Sequence, residues 1–283
     1  MKLAFTKMQG AGNDFVVLNE MAAPLALSPA QFKALADRRF GIGADQFLLV
    51  GKPKDPANDF SYRIVNADGG EVEHCGNGAR CFVRYVRDKG LTAKSRVKVE
   101  VSFGVIELSE DAEHNVTVQI AVPRFIPQQI PFVPGVMHTR AEGTETLYAL
   151  EVAGNERWIS VVNLGNPHAV NIVPDVDAAP VTLEGPVIEH HAAFPARVNA
   201  GYLQVLDAHA VKLRVWERGV GETLACGTGA CAAVVAGIRR GVLASPVAVH
   251  ARGGLLSVSW AGEGQMAYLS GPAVTVFEGE VEL

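Results

Sequence analysis

The chain lacks any long hydrophobic run; no stretch approaches the roughly 20 apolar residues a membrane-spanning helix needs. It lacks a basic run too. With 25 Lys and Arg against 30 Asp and Glu, its formal net charge is −5 at pH 7, which argues against nucleic acid or an anionic membrane as a partner. The opening residues, MKLAFTKMQGAGNDF, hold no apolar signal core, so a cytoplasmic protein is expected. Cysteine is scarce, at four in 283 residues, and in that compartment a structural disulfide framework is not expected. Catalysis, metal binding and plain burial remain open for those four. The usual phosphate loops are also missing. GIGADQ (41–46) lacks the third glycine of a dinucleotide fingerprint, and there is no P-loop.

What the chain does have is apolar sequence in short pieces. Hydrophobic residues make up 48% and charged residues 19%, enough to bury a core. Candidate strands lie at 3–8, 15–19, 46–50, 60–65, 96–101, 105–109 and 116–122, separated by Gly, Pro and Asn/Asp turns. Others follow at 147–152, 158–162, 169–173, 201–206, 211–215, 255–260 and 273–276. Only three segments read as strongly helical. The first has a cap at Ser28 and a proline at its first position, and is expected to run to Arg39. The other two begin at about Gly78 and Gly229, and each ends in basic residues and a glycine.

Those two helices follow the same words. EVEHCGNGARC (71–81) and ETLACGTGAC (222–231) both contain Glu-x-x-x-Cys-Gly-x-Gly-Ala. Gly90 stands as far beyond Cys75 as Gly241 stands beyond Cys226, and GNDFVV and GNPHAV precede the cysteines at similar distances. A duplicated β-rich unit is the economical reading. It predicts an α+β protein of two pseudo-symmetric β-rich domains, each wrapped around a central helix, with the active site in the interdomain cleft. The expected boundaries are 1–123, with the C-terminal strand 272–283 returning to that domain, and 124–271; the proline-rich stretch 122–135 is read as the joint.

A cysteine just ahead of a helix meets backbone N–H groups that have no intrahelical partner. The helix dipole favours thiolate there, and the same N–H groups can hold a carboxylate. The glycines allow close approach of a ligand. One copy supplies a base beside an anion hole; two copies supply a base and an acid for inverting a carbon next to a carboxylate.

The stretches GNDFVV, GIGADQ, NADGGEVEHCGNGARC, GNPH, ERGVGETLACGTGA and SGPA, in this order along nearly the whole chain, resemble the diaminopimelate epimerase family. The resemblance implies interconversion of LL- and meso-diaminopimelate without a cofactor or metal, on the way to lysine and peptidoglycan, by a homodimer. It implies Cys75 and Cys226 as acid and base, with His168 and Glu217 assisting. The implied substrate-binding set is Asn13, Gln46, Asn66, Gly76, Asn77, Asn166, Asn199, Glu217, Arg218, Gly227 and Thr228. The chemistry suits the ligand. Amides both donate and accept, Arg218 can fork onto a distal carboxylate, and Glu217 can accept from an ammonium. The pattern departs from the family at Ala169, where relatives often carry Cys, and at Phe277, where some carry Tyr; the second bears on dimer packing.

Each residue also has a plainer reading. Cys75 and Cys226 could be core cysteines, but the glycines are duplicated with them. Cys81 and Cys231 lie inside the helices and are expected to pack the core. Zinc held by all four fits poorly, since C-x₅-C is not a common ligand spacing. His168 could be an ordinary histidine at a strand start, His74 a surface residue, and His190-His191 a solvated loop. A proline racemase-like enzyme also uses paired cysteines at glycine-rich turns, but there the first turn reads Cys-Gly-His, against Cys75-Gly76-Asn77 here. A thiol sensor with this fold would transfer no α-proton.

Overall fold

The computed structural model describes residues 2–72, 76–102 and 104–283; Cys75 and His74 lie outside the described residues. The chain divides into two compact units, Met1–Gln119 with Ser270–Leu283, and Ile120–Leu269. Each is β-rich and folds over one long helix.

In the first unit, strands Lys2–Gly10 and Asn13–Asn19 form a hairpin with Gly10 opposite Asn13. Its two turn residues, Ala11 and Gly12, both have positive φ (53° and 85°), the backbone that matches strand twist in a two-residue turn. Asn13–Asn19 then runs parallel to Gln46–Gly51, with Phe15 level with Gln46. That strand pairs antiparallel with Phe60–Asn66, placing Gln46 opposite Asn66. Helix α1, Pro29–Ala36, starts at a capping box in which Ser28 and Gln31 satisfy each other's backbone. It stops three residues short of the expected Arg39. Asp37 turns out of helical backbone, and its carboxylate accepts from the N–H groups of Arg39 and Phe40 at 2.7 and 2.8 Å. Helix α2, Gly76–Asp88, packs on the hairpin and on Gly104–Glu110. Phe82 stacks on Tyr62 at 5.1 Å between centroids and meets Phe60 edge-on at 5.7 Å.

The second unit repeats this register. Asn155–Asn163 and Pro167–Ile172 are antiparallel, and Pro167–Ile172 runs parallel to Asn199–Asp207 with His168 level with Asn199. Asn199–Asp207 pairs antiparallel with Ala210–Glu217, Ala200 lying opposite Trp216. Phe15, Gln46 and Asn66 therefore correspond to His168, Asn199 and Glu217. Both units also follow their long helix with a strand parallel to an earlier one: Phe60 is level with Val99, and Ala210 with Ala248.

Helix α3, Val181–Glu189, is absent from the sequence reading; exposed His190 caps its C-terminal end, and half-buried His191 lies in the turn that follows. Helix α4, Gly227–Arg239, begins two residues before the expected Gly229. Its residues from Gly229 to Gly237 are all buried, so strands surround it, and small side chains let them close in. A Cβ on Gly237 would fall 2.3 Å from Leu243. The proline-rich stretch 122–135 is more than a joint: Ile130 and Phe132 are buried in the core of the second unit. Cys81 and Cys231 are fully buried, as expected.

Candidate active site

In the second unit Cys226 stands at the N-cap of α4 in extended backbone, and its buried Sγ accepts the N–H of Gly229 at 3.4 Å. The approach is tight: a Cβ on Gly229 would lie 3.0 Å from Cγ2 of Val215 and 3.1 and 3.2 Å from Cβ and Sγ of Cys226. The hydroxyl of Thr228 is 3.6 Å from the sulfur. Gly227 and Thr228 are the first residues of α4, so their N–H groups belong to its open end.

Glu217 ends the strand Ala210–Glu217 and shares a hydrogen bond with Cys226; Thr223 donates its hydroxyl to Glu217 at 2.5 Å. Burial raises the pKa of Glu217, and those two hydrogen bonds oppose the rise. Burial, reinforced by the Glu217 charge, pushes the Cys226 thiol well above its ordinary value. Around neutral pH the thiol is therefore held in its protonated form. His168 is 1% exposed, and its Nε2 lies 2.9 Å from Oδ1 of Asn166. Burial, with the nearby charge of Arg218, depresses it to about 3, so its ring is neutral. Asn199 is buried; its Oδ1 accepts the backbone N–H of Arg218 at 2.9 Å, and its Nδ2 donates to the Pro167 carbonyl at 3.0 Å. Arg218 is exposed, with one Nη on the Ala196 carbonyl at 2.9 Å. The turn carrying it is tied to α3, because Glu189 accepts both the Trp216 indole N–H and the Gly219 N–H at 2.8 Å.

In the first unit Asn13, Gln46 and Asn66 lie at one edge of adjoining strands, and Gly76 and Asn77 open α2. Gln46 Nε2 donates to Asn66 Oδ1 at 2.8 Å, and Asn77 Nδ2 to Asn13 Oδ1 at 3.4 Å. Two buried acceptors, Gln46 Oε1 and Asn77 Oδ1, have no hydrogen-bond partner among the described residues. Such oxygens can accept N–H donors from a ligand. Cys75 precedes Gly76 and lies outside the described residues. Among the described residues no group of three or more His, Cys, Asp or Glu could hold a metal, and no helix is long and apolar enough to cross a membrane.

The sequence reading missed three residues at these places: Thr223 behind Glu217, Gly229 beneath Cys226, and Asp45 beside Asn13. Gly229 carried a signal, since it is duplicated with the cysteine. Thr223 and Asp45 carried none: a tight hairpin brings Thr223 to Glu217, and a parallel strand pairing brings Asp45 to Asn13.

A β-rich unit closed over a helix that starts at a glycine turn, made twice in one chain, defines a fold shared with several solved structures. A phenazine biosynthesis protein of the PhzF family from Bacillus anthracis matches with a TM-score of 0.69 over 100% of both chains, at 15% identity. A hydroxyproline epimerase from Agrobacterium vitis matches with a TM-score of 0.63 over 99% of this chain and 92% of its own, at 16% identity. These likenesses show the fold. The chain belongs to the diaminopimelate epimerase family, whose model matches residues 5–126 and 160–276, and it is an epimerase. The diaminopimelate epimerase of Cupriavidus necator is 62% identical over 283 residues, covering 100% of this chain and 98% of that protein.

Proposed function

We propose that the chain interconverts LL- and meso-diaminopimelate by cofactor-independent proton transfer between two cysteines, in the cytoplasm, on the route to lysine and peptidoglycan precursors. The observation that carries this reading is Cys226: a buried thiol at a helix N-terminus, beside a carboxylate of raised pKa. Cys75 is assigned the partner role because its turn is the duplicate of this one.

One thiolate takes the α-proton, and the thiol on the opposite face gives its proton to the carbanion. Cys226, held protonated, is the acid in the resting enzyme. For the reverse stereochemical direction it must give up its proton, and Glu217 can receive it because burial has made that carboxylate more basic. The neutral ring of His168 adds no cation of its own, and it accepts or donates only hydrogen bonds. A positioned base contributes on the order of 10²–10⁴ in rate, or about 3–5.5 kcal/mol, against a total of about 8–23 kcal/mol for typical enzymes. Electrostatic stabilisation of the developing carbanion has to supply much of the remainder, and the open helix ends at Gly76-Asn77 and Gly227-Thr228 suit the reacting carboxylate. Arg218, exposed and half committed, is assigned to the distal carboxylate.

The test is NMR of LL-diaminopimelate with the reduced protein in D₂O, without added cofactor. Deuterium at the α-carbon together with meso product is expected. No exchange, or turnover of proline or hydroxyproline in its place, overturns the reading.

A further inference from the structure

We infer that Asp45 is a positioning residue: its carboxylate fixes the Asn13 amide, and through it the Asn77 amide, so that this edge of the first unit presents oxygen atoms to a substrate ammonium group. The inference rests on the reading that diaminopimelate, which carries ammonium groups, is the substrate.

The chain of contacts has one direction. An ionised carboxylate only accepts, so Asn13 must turn its nitrogen to Asp45, and Nδ2 donates to Asp45 Oδ2 at 2.9 Å. The Asn13 oxygen then faces away and receives Asn77 Nδ2 at 3.4 Å. Asn77 has thus used its nitrogen, and its buried Oδ1 is left as an acceptor. Gln46 arrives at the same state by another route. Its nitrogen goes to Asn66, and its Oε1 is buried without a partner among the described residues. A carboxylate brought against these oxygens would meet acceptors, whereas an ammonium brings three donors.

Asp45 is itself held from several sides. Its Oδ1 receives Arg38 Nη2 at 2.9 Å, its Oδ2 receives the Asp14 N–H at 3.1 Å, and its own N–H donates to Asp14 Oδ1 at 2.8 Å. Arg38 also grips Asp14 with both Nη atoms at 2.8 Å, and Lys7 reaches Asp14 at 2.6 Å. Its carbonyl accepts the Ala67 N–H at 3.1 Å, tying it to the strand end that carries Asn66. A side chain 45% exposed would otherwise be free to rotate; here it is anchored beside the amide whose orientation sets that of Asn77.

A double-mutant cycle on the full chain tests this, using Asp45→Ala, Asn13→Ala and the double variant with diaminopimelate. Asp45→Ala should raise KM about tenfold while kcat stays within about threefold, since an ammonium is bound in ground and transition states alike. The double variant should match Asn13→Ala within about twofold. Additive losses, an unchanged KM, or a fall confined to kcat overturns the assignment. Asp45→Asn preserves the shape and removes the acceptor-only constraint; in ¹⁵N spectra it should move the Asn13 and Asn77 side-chain amide signals, and unmoved signals also overturn it. An inactive wild type sinks the substrate reading, which the amide signals do not depend on; an active wild type with additive losses sinks only the role of Asp45.

Discussion

At the scale of the residue, the second-unit site rests on Cys226 hydrogen-bonded to Glu217 at the N-terminus of a helix. Cys226→Ala and Cys75→Ala should each abolish epimerisation, and substantial turnover by either in the NMR assay would refute the two-cysteine mechanism. The Glu217 charge also helps keep the Cys226 thiol protonated. Glu217→Gln should therefore raise the iodoacetamide reactivity of Cys226 at pH 8 by about tenfold, equivalent to a pKa lower by about one unit. Peptide mapping by mass spectrometry reads the site, and slower labelling would reverse the assigned sign. His168 has a folded pKa of about 3 against about 6.5 unfolded, so the unfolded state takes the proton first as pH falls. Its stabilising contribution is complete above about pH 6.5 and is lost between there and 3, at up to about 1.4 kcal/mol per pH unit. Urea melts at pH 6.5 and 5 should show His168→Asn losing less stability over this interval than wild type; equal losses would disprove the link. Much of this chemistry was legible in the sequence. Asn166 and His168 are two apart in one motif, and Glu217 and Cys226 share another, so local structure brings each pair together. Asp45 was not legible as a partner of Asn13, since the two are 32 residues apart and only a parallel strand pairing brings them together.

At the scale of the element, sequence signals decided some boundaries and tertiary packing decided others. The α1 cap was readable because Ser28, Pro29 and Gln31 act locally. Ser28→Ala should cost about 1 kcal/mol in chemical denaturation, with activity kept; a neutral change would mean the cap is idle. Helix α3 was unreadable for the opposite reason. It contains Gly185 and Pro186, both poor helix formers, and its stability comes from partners distant in sequence. Glu184 takes a bidentate grip from Arg157, and Glu189 holds Trp216 and Gly219. The glycine lets the helix lie against Trp216, where an added Cβ would fall 2.5 Å from Cγ of the ring. Gly185→Ala should destabilise the chain by about 1–3 kcal/mol despite its better helix propensity, because overpacking outweighs propensity. It should also raise KM through the Arg218 turn. A gain in stability would show the contact to be loose.

At the scale of the whole molecule, duplication was visible in the cysteine turns, and the strand register extends it well beyond them. Phe15, Gln46 and Asn66 of one copy stand where His168, Asn199 and Glu217 stand in the other, and Ala67 stands where Arg218 does. The titratable groups at these positions all fall in the second copy, so the copies have diverged in chemistry while keeping one backbone plan. Sequence spacing showed the repeat; the register was needed to see which positions correspond. A second property at this scale is self-association, which we propose as a homodimer. The strand Val274–Glu282 exposes Val274, Val276 and Phe277 at 46%, 56% and 46%, and Phe277 meets Phe5 of the neighbouring strand edge-on at 5.8 Å. Apolar side chains clustered on one exposed strand are best covered by another surface. Phe277 has no hydroxyl, so its own part in the contact would be burial. Sedimentation velocity should therefore show a species of about twice the 30.1 kDa chain mass. Val276→Asp should shift it to monomer by placing a charge in that contact. A 30.1 kDa species at every concentration of the wild type would remove the dimer from the proposal and leave the chemistry of the two cysteines as argued.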